Sequence, residues 1–75
     1  MDFYDNPVDE LLARRVADRF VDDPELRGGH VTISVQNRVV ILKGRVGSPE
    51  LRAAAARQAW AIPGVFDVCN RLLPV

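Results

Sequence analysis

The fold is decided by residues 44–72, GRVGSPELRAAAARQAWAIPGVFDVCNRL. Ser48 followed by Pro49 is typical of a helix start, because serine caps free backbone N–H groups and proline suits the first helical turn. The alanine-rich run continues this helix as far as Pro63-Gly64, after which a second β-type stretch begins. A strand, a helix and a strand in such close succession predict two parallel strands joined by a crossover helix.

Another helix is predicted near the amino terminus. Asn6 is a favourable N-cap, and Pro7 suits the first helical position. Asp9 and Glu10 carry negative charge where the helix dipole favours it. The helix should end near Asp22, because the residue before a proline is pushed out of helical geometry. Apolar residues at helical spacing form one stripe: Val8, Leu11, Leu12, Val16 and Phe20.

The remaining segments predict a loop and three strands. Residues 31–35 and 39–46 alternate as half-buried strands do, around a turn at 36–38, and 65–73 reads as the third strand. A loop is expected from Pro24 to His30. The sequence therefore predicts an α+β domain of order αββαβ, in which two helices pack on one face of a three-stranded mixed sheet.

A glycine inside the second strand is a packing signal. Such a glycine usually marks a place where another backbone approaches closely. Gly44 has the inward parity and should lie opposite a helix stripe that contains Ala54, Ala55 and Ala59. We therefore expect the helix to sit low on the sheet, and Gly44→Val to destabilise the fold by about 1–3 kcal/mol through overpacking.

Length and composition restrict the class of protein. A chain of 75 residues forms one small domain, which buries only about 60% of its unfolded surface. One Cys and one His allow no internal disulfide and no zinc or haem site, so no metal or cofactor is expected. Residues 1–7 lack the features of a signal peptide, and no apolar run approaches the roughly 20 residues that span a bilayer. As given, the chain is expected in the cytoplasm; a domain excised from an exported protein would belong to the periplasm or envelope.

Charge is segregated along the chain although the net charge is zero. Residues 1–25 contain eight acidic and three basic side chains, whereas residues 26–75 contain seven basic and two acidic ones. Such asymmetry can guide association with an anionic surface or with a second copy of the molecule. The alternative is two halves that complement each other within one chain.

The order and spacing of several short motifs resemble the BON domain, a bacterial module named for osmotically inducible and nodulation proteins. The resemblance extends from Val8 to Leu72 and defines one domain over 1–75, with its core at about 7–73. The motifs are Asp23-Pro24-Glu25-Leu26, Val31-x-Ile33-x-Val35, Gly44-x-Val46-x-Ser48 and Gly64-Val65-x-x-Val68-x-Asn70-x-Leu72.

Two positions depart from the BON pattern. The hairpin turn has Asn37-Arg38 in place of the usual Asn-Gly, so a strict two-residue type I′ turn is disfavoured. Pro74 lies in the last strand, where it cannot donate a ladder hydrogen bond, so strand pairing should cease near Leu73.

The resemblance implies a non-enzymatic interaction module of a stress-response type. BON domains are thought to bind phospholipid or other envelope surfaces, and this chain is expected to bind a protein partner, a second copy of itself as a homodimer, or anionic phospholipid. No enzyme activity is expected, because the sequence has no nucleophile with a base and no phosphate-binding glycine loop. Nucleic-acid binding is not expected, because the net charge is zero and aromatic residues are few.

The candidate partner-binding site is the sheet face that the two helices leave uncovered, for which self-association is the first expectation and contact with a lipid surface the second. Apolar residues with basic neighbours on such a face are typical of a contact surface, although β-propensity alone also places valine and isoleucine on wet sheets. The residues of this face are Val39, Ile41, Lys43, Arg45, Cys69, Arg71 and Leu73.

A second candidate site is a lipid-binding group of Arg52, Arg57 and Trp60 on the second predicted helix, where the indole ring could anchor at headgroup level. Trp60 could equally pack against the core or the following turn. Asn70 is expected to bond nearby backbone rather than a ligand, and Cys69 is otherwise interpreted as a passive strand residue.

Overall fold

A computed structural model describes residues 6–27 and 30–75, which form three helices and one three-stranded sheet. The elements are α1 (Pro7–Val21), α2 (Pro24–Arg27), β1 (His30–Gln36), β2 (Val39–Val46), α3 (Pro49–Trp60) and β3 (Asp67–Pro74). The predicted α+β class and the order αββαβ are confirmed, with one addition. The helical turn α2 replaces the start of the predicted loop, because the Asp23 carboxylate accepts a hydrogen bond from the Glu25 N–H at 3.0 Å.

Both long helices begin at the predicted caps. The Asn6 side chain accepts a hydrogen bond from the Val8 N–H at 2.9 Å, and the Ser48 hydroxyl accepts one from the Leu51 N–H at 3.2 Å. Each cap is followed by a proline in the first helical turn. These contacts satisfy N–H groups that have no partner within the helix. Local sequence therefore determines where α1 and α3 start.

The sheet is mixed, with strand order β1-β2-β3. β1 and β2 form an antiparallel hairpin, and β3 runs parallel to β2 after the α3 crossover. The helices cover one face of the sheet, and the buried side chains lie between the two layers. The core consists of Leu12, Val16, Phe20, Leu26, Val35, Val40, Leu42, Val46, Ala55, Ala59, Ile62 and Leu72.

Gly44 is confined by the backbone of the neighbouring strand β1. A Cβ at this position would lie 1.7 Å from the carbonyl oxygen of His30 and 3.1 Å from the Cα of Val31. Gly44 also has φ of +129°, which side-chain-bearing residues rarely adopt. The close approach of α3 to Gly44 that the alanine stripe predicts stays a prediction. The close backbone approach itself comes from β1.

The hairpin turn has two residues with left-handed backbone. Asn37 has φ of 51° and Arg38 has φ of 65°, which is the type I′ geometry that Asn37-Arg38 was expected to disfavour. That prediction was wrong because α1 stabilises the turn. The carboxylate of Asp9, a residue only 5% exposed, accepts hydrogen bonds from the N–H groups of both turn residues at 2.8 Å.

Strand pairing also continues past the position where it was expected to cease. Pro74 lies within β3 opposite Val46, and the Val75 N–H donates to the Val46 carbonyl at 2.9 Å. In a parallel ladder, alternate residues direct their N–H groups to opposite sides of the strand. Since Val75 donates to β2, the ring nitrogen of Pro74 lies on the outer side, where no ladder bond is lost. The proline is thus accommodated at a sheet edge.

Candidate functional site

The open face of the sheet is the surface opposite the helices. On β2 it carries Val39, Ile41, Lys43 and Arg45, whose register partners on β3 are Asp67, Cys69, Arg71 and Leu73. None of these side chains is fully buried, whereas the alternate β2 residues Val40, Leu42 and Val46 are buried under the helices. All seven residues of the predicted partner-binding set therefore lie on this face.

Basic side chains occupy one end of the open face. Lys43 and Arg71 are register partners on adjacent strands, which lie about 4.8 Å apart in a sheet. Arg45 follows two residues along β2 on the same face, beside His30 of β1. Lys43, Arg45 and Arg71 are exposed. We call these three residues the basic cluster.

The other end of the open face is less polar. Val39, Ile41 and Cys69 are each partly exposed, and Ser34 of β1 lies beside Ile41. Leu73 is 62% exposed at the far end of β3, next to Arg45. Apolar side chains therefore adjoin the basic cluster on one side along the strand direction, and Leu73 lies beside Arg45 at the basic end. A face of this kind can combine burial of apolar area with charge attraction.

The basic cluster has no carboxylate close enough to form an ion pair within the described part of the chain. The ion pair found there joins Arg14 and Glu10, two exposed side chains of α1, at 3.5 Å. The acidic residue of the open face, Asp67, lies at the opposite end of β3 and accepts a hydrogen bond from the Val68 N–H. Like charges side by side on adjacent strands repel one another. An external anion would relieve this repulsion.

The predicted lipid-binding group on α3 is only partly free to bind a ligand. The Arg52 guanidinium donates to the carbonyl oxygens of Leu72 and Asn70, each at 3.0 Å, and so joins α3 to β3. Arg57 is exposed, and Trp60 is 50% exposed at the last position of α3, outside the buried core. Arg52 thus has a structural partner, while Arg57 and Trp60 remain surface residues.

Asn70 completes this connection between α3 and β3. Its amide donates to the Arg52 carbonyl at 2.8 Å, and its side-chain oxygen accepts from the Leu72 N–H at 3.2 Å. The prediction that Asn70 bonds nearby backbone is confirmed. Together, Arg52 and Asn70 satisfy groups on the outer side of β3 that no other strand reaches among the described residues.

Arg52→Ala is expected to lower the free energy of unfolding by about 1–2 kcal/mol, because two hydrogen bonds from a charged donor are lost at a partly exposed site. Arg57→Ala is the matched control, since Arg57 lies on the same helix and its side chain makes no hydrogen bond within the described ranges. It should change stability by less than about 0.5 kcal/mol. Urea unfolding followed by Trp60 fluorescence measures both, and equal effects would contradict a structural role for Arg52.

Sequence reasoning missed two features of the surface. Val8 and Leu11, assigned to the buried stripe of α1, are 38% and 47% exposed, and Asp9 is buried in their place. Phe66, just before β3, is 75% exposed. Spacing alone could not decide between Val8 and Asp9, because both lie within one helical turn of Leu12.

A shallow groove of about 400 Å³ lies between the end of α1 and α3. Its lining includes Arg19, Asp23 and Gln58, and the Gln58 amide donates to the Asp23 carboxylate at 2.8 Å.

Over residues 6–27 and 30–75, no group of three His, Cys, Asp or Glu side chains is placed to hold a metal ion. No helix in the same ranges is long and apolar enough to cross a membrane.

The fold and its uncovered face define a small α+β domain suited to surface contacts. The chain matches the model of the BON domain over residues 8–73 and therefore belongs to the BON domain family. BON domains are binding modules. No curated protein matches the chain.

Proposed function

We propose that this BON domain is a non-enzymatic module that binds anionic phospholipid surfaces through the open face of its sheet. The observation that carries the proposal is the basic cluster, Lys43, Arg45 and Arg71, on one uncovered face without a nearby carboxylate. A planar array of cations suits a planar array of headgroup phosphates. Each basic residue near an anionic membrane contributes about 1 kcal/mol to binding, so the cluster supports weak, salt-sensitive attachment.

The apolar side chains of the open face add to this attraction. Leu73 lies beside Arg45, and Ile41 and Cys69 lie next to the Lys43–Arg71 row. Burying apolar area at the membrane interface contributes about 25 cal/mol per Å². Attachment through this face therefore does not rely on charge alone.

The distribution of charge over the two layers favours one orientation. The helical layer carries exposed acidic residues, such as Glu10 and Asp18, interspersed with exposed arginines, whereas the basic cluster on the opposite face of the sheet has no acidic neighbour beside it. An anionic surface therefore attracts the sheet side more strongly than the helical side. The domain is thus polarised for docking with its sheet toward the lipid.

Co-sedimentation with vesicles tests the proposal. The wild-type domain should bind vesicles that contain phosphatidylserine, should release them as salt is raised, and should ignore phosphatidylcholine vesicles. Lys43→Glu/Arg71→Glu should weaken binding at least about tenfold. If the wild type binds neither vesicle type, the proposal is contradicted.

The matched control is Arg15→Glu/Arg57→Glu, which makes the same change in net charge on two exposed positions of the helical layer. It should retain binding within about twofold, because the altered charges face away from the lipid. If this control loses binding and the sheet variant keeps it, the helical layer and its α3 residues are the lipid site instead.

A further inference from the structure

The two edges of the sheet are built differently. The outer edge of β3 is occupied. The side chains of Arg52 and Asn70 form hydrogen bonds with its backbone carbonyl and N–H groups. In addition, the Asp67 carboxylate accepts from the Val68 N–H, and Pro74 has no N–H. Such features prevent another strand from pairing with an edge. The β1 edge, His30–Gln36, has no corresponding side-chain or backbone partner among the described residues.

The hairpin geometry determines which β1 groups face outward. In a two-residue hairpin, the residues that flank the turn, here Gln36 and Val39, exchange backbone hydrogen bonds. Every second residue of β1, counted back from Gln36, therefore directs its N–H and C=O groups toward β2. Val31, Ile33 and Val35 consequently direct their N–H and C=O groups away from β2. Val35 is fully buried, whereas Val31 and Ile33 are partly exposed. The accessible part of the β1 edge is therefore centred on Thr32.

The composition of β1 suits pairing with another strand. Its sequence, HVTISVQ, contains no Lys, Arg, Asp or Glu, no proline and no glycine, and it is rich in β-branched residues. Charged side chains and proline are the common means by which edge strands avoid association. Their absence from β1 contrasts with the protected β3 edge of the same sheet.

We propose that the β1 edge pairs with the β1 edge of a second copy of this chain, antiparallel and centred on Thr32. Val31 of each copy then lies opposite Ile33 of the other, and the two residues exchange hydrogen bonds, four in all. Thr32 lies directly opposite Thr32 of the second copy, a favourable cross-strand pair. A strand without charges is compatible with itself, which is the reason for choosing a second copy as the occupant.

The helical layer fits the same arrangement. Arg19 lines the groove toward α3, so the other flank of α1 faces the β1 side of the domain. That flank carries Ala13, Ala17 and Val21 at a spacing of four residues, and Val21 is 57% exposed. Two α1 helices meeting across the pair would approach closely, because alanine side chains are small. Val21 would then be covered.

The pairing rests on the β1 edge and not on the proposed lipid function. If both proposals hold, pairing through β1 strengthens lipid binding by the open face. In an antiparallel pair about a twofold axis normal to the sheet, both open faces lie on the same side. Two basic clusters would then face one membrane, and bivalent attachment exceeds the affinity of either site alone.

Light scattering over a concentration series, without lipid, tests the pairing. The wild type should show a dimer that dissociates on dilution. Thr32→Glu alone and Thr32→Lys alone should each weaken the dimer at least about tenfold, because like charges then face each other across the twofold axis. An equimolar mixture of the two variants should restore the dimer. Val31→Pro removes an outward N–H, keeps the bonds to β2, and should also give a monomer.

Three results would overturn the pairing: a wild-type monomer at every concentration, a dimer that tolerates both Thr32 variants, or a mixture that fails to associate. Lys43→Glu/Arg71→Glu should leave the dimer intact. Failure of the lipid proposal thus shows as lost vesicle binding with an unchanged molar mass. Failure of the pairing shows as an unchanged monomer that still binds vesicles.

Discussion

Gly44→Ala is expected to lower the free energy of unfolding by about 3–5 kcal/mol, which sums the cost of a strained φ and of overpacking. The added Cβ would lie 1.7 Å from the His30 carbonyl oxygen. That atom belongs to backbone, so no side-chain rotation relieves the clash. Such a loss approaches the whole stability of a small domain. Urea unfolding monitored by circular dichroism measures it.

Gly47→Ala is the matched control for this prediction. Gly47 follows β2 three residues after Gly44, but its nearest neighbour for a Cβ is a Leu51 side-chain carbon at 3.6 Å, an ordinary contact. Stability should change by less than about 1 kcal/mol. If both alanine variants unfold at the same urea concentration, the backbone constraint at Gly44 is refuted.

Asp9→Ala is expected to destabilise the domain by about 2–4 kcal/mol, because hydrogen bonds to a charged acceptor contribute about 1.5–3 kcal/mol each and the site is partly buried. The N–H groups of Asn37 and Arg38 would lose their shared acceptor. Their left-handed backbone would also lose the contact that holds it. Asp9→Asn should recover only part of the loss, since an amide nitrogen cannot accept. Thermal or urea unfolding measures these differences.

Glu10→Ala separates this contact from the general effect of negative charge at a helix start. Glu10 lies in the same first turn of α1, but it is exposed and pairs only with Arg14 among the described residues. Removal of the Glu10 side chain should lower the free energy of unfolding by less than about 1 kcal/mol. Equal losses for the Asp9 and Glu10 variants would mean that the bonds to the turn contribute nothing.

Features that depend on neighbouring residues could be predicted from the sequence. Asn6 and Ser48 mark helix starts because a cap acts within three residues of itself. The alternation of β2 likewise predicted which side chains are buried and which form the open face, because the period of a strand is two. What the open face binds stays a prediction, which vesicle and mass measurements address.

Features that depend on distant contacts could not be predicted in the same way. Asp9 and the hairpin turn are 28 and 29 residues apart, and nothing in the local pattern connects them. Arg52 was interpreted as a lipid ligand because it lies on the same predicted helix as Trp60, yet the length of its side chain lets it reach β3. The backbone contact that requires glycine at position 44 could not be predicted either, because it depends on the position of β1, which the strand pattern does not specify.

The protected β3 edge limits how far such chains can assemble. A sheet with two free edges can add subunits at both ends and grow into a fibre of indefinite length. Here Arg52, Asn70 and Pro74 close one end of every subunit. Joining two copies through β1 would leave only closed ends, so growth would terminate at a stoichiometry of two whatever the protein concentration.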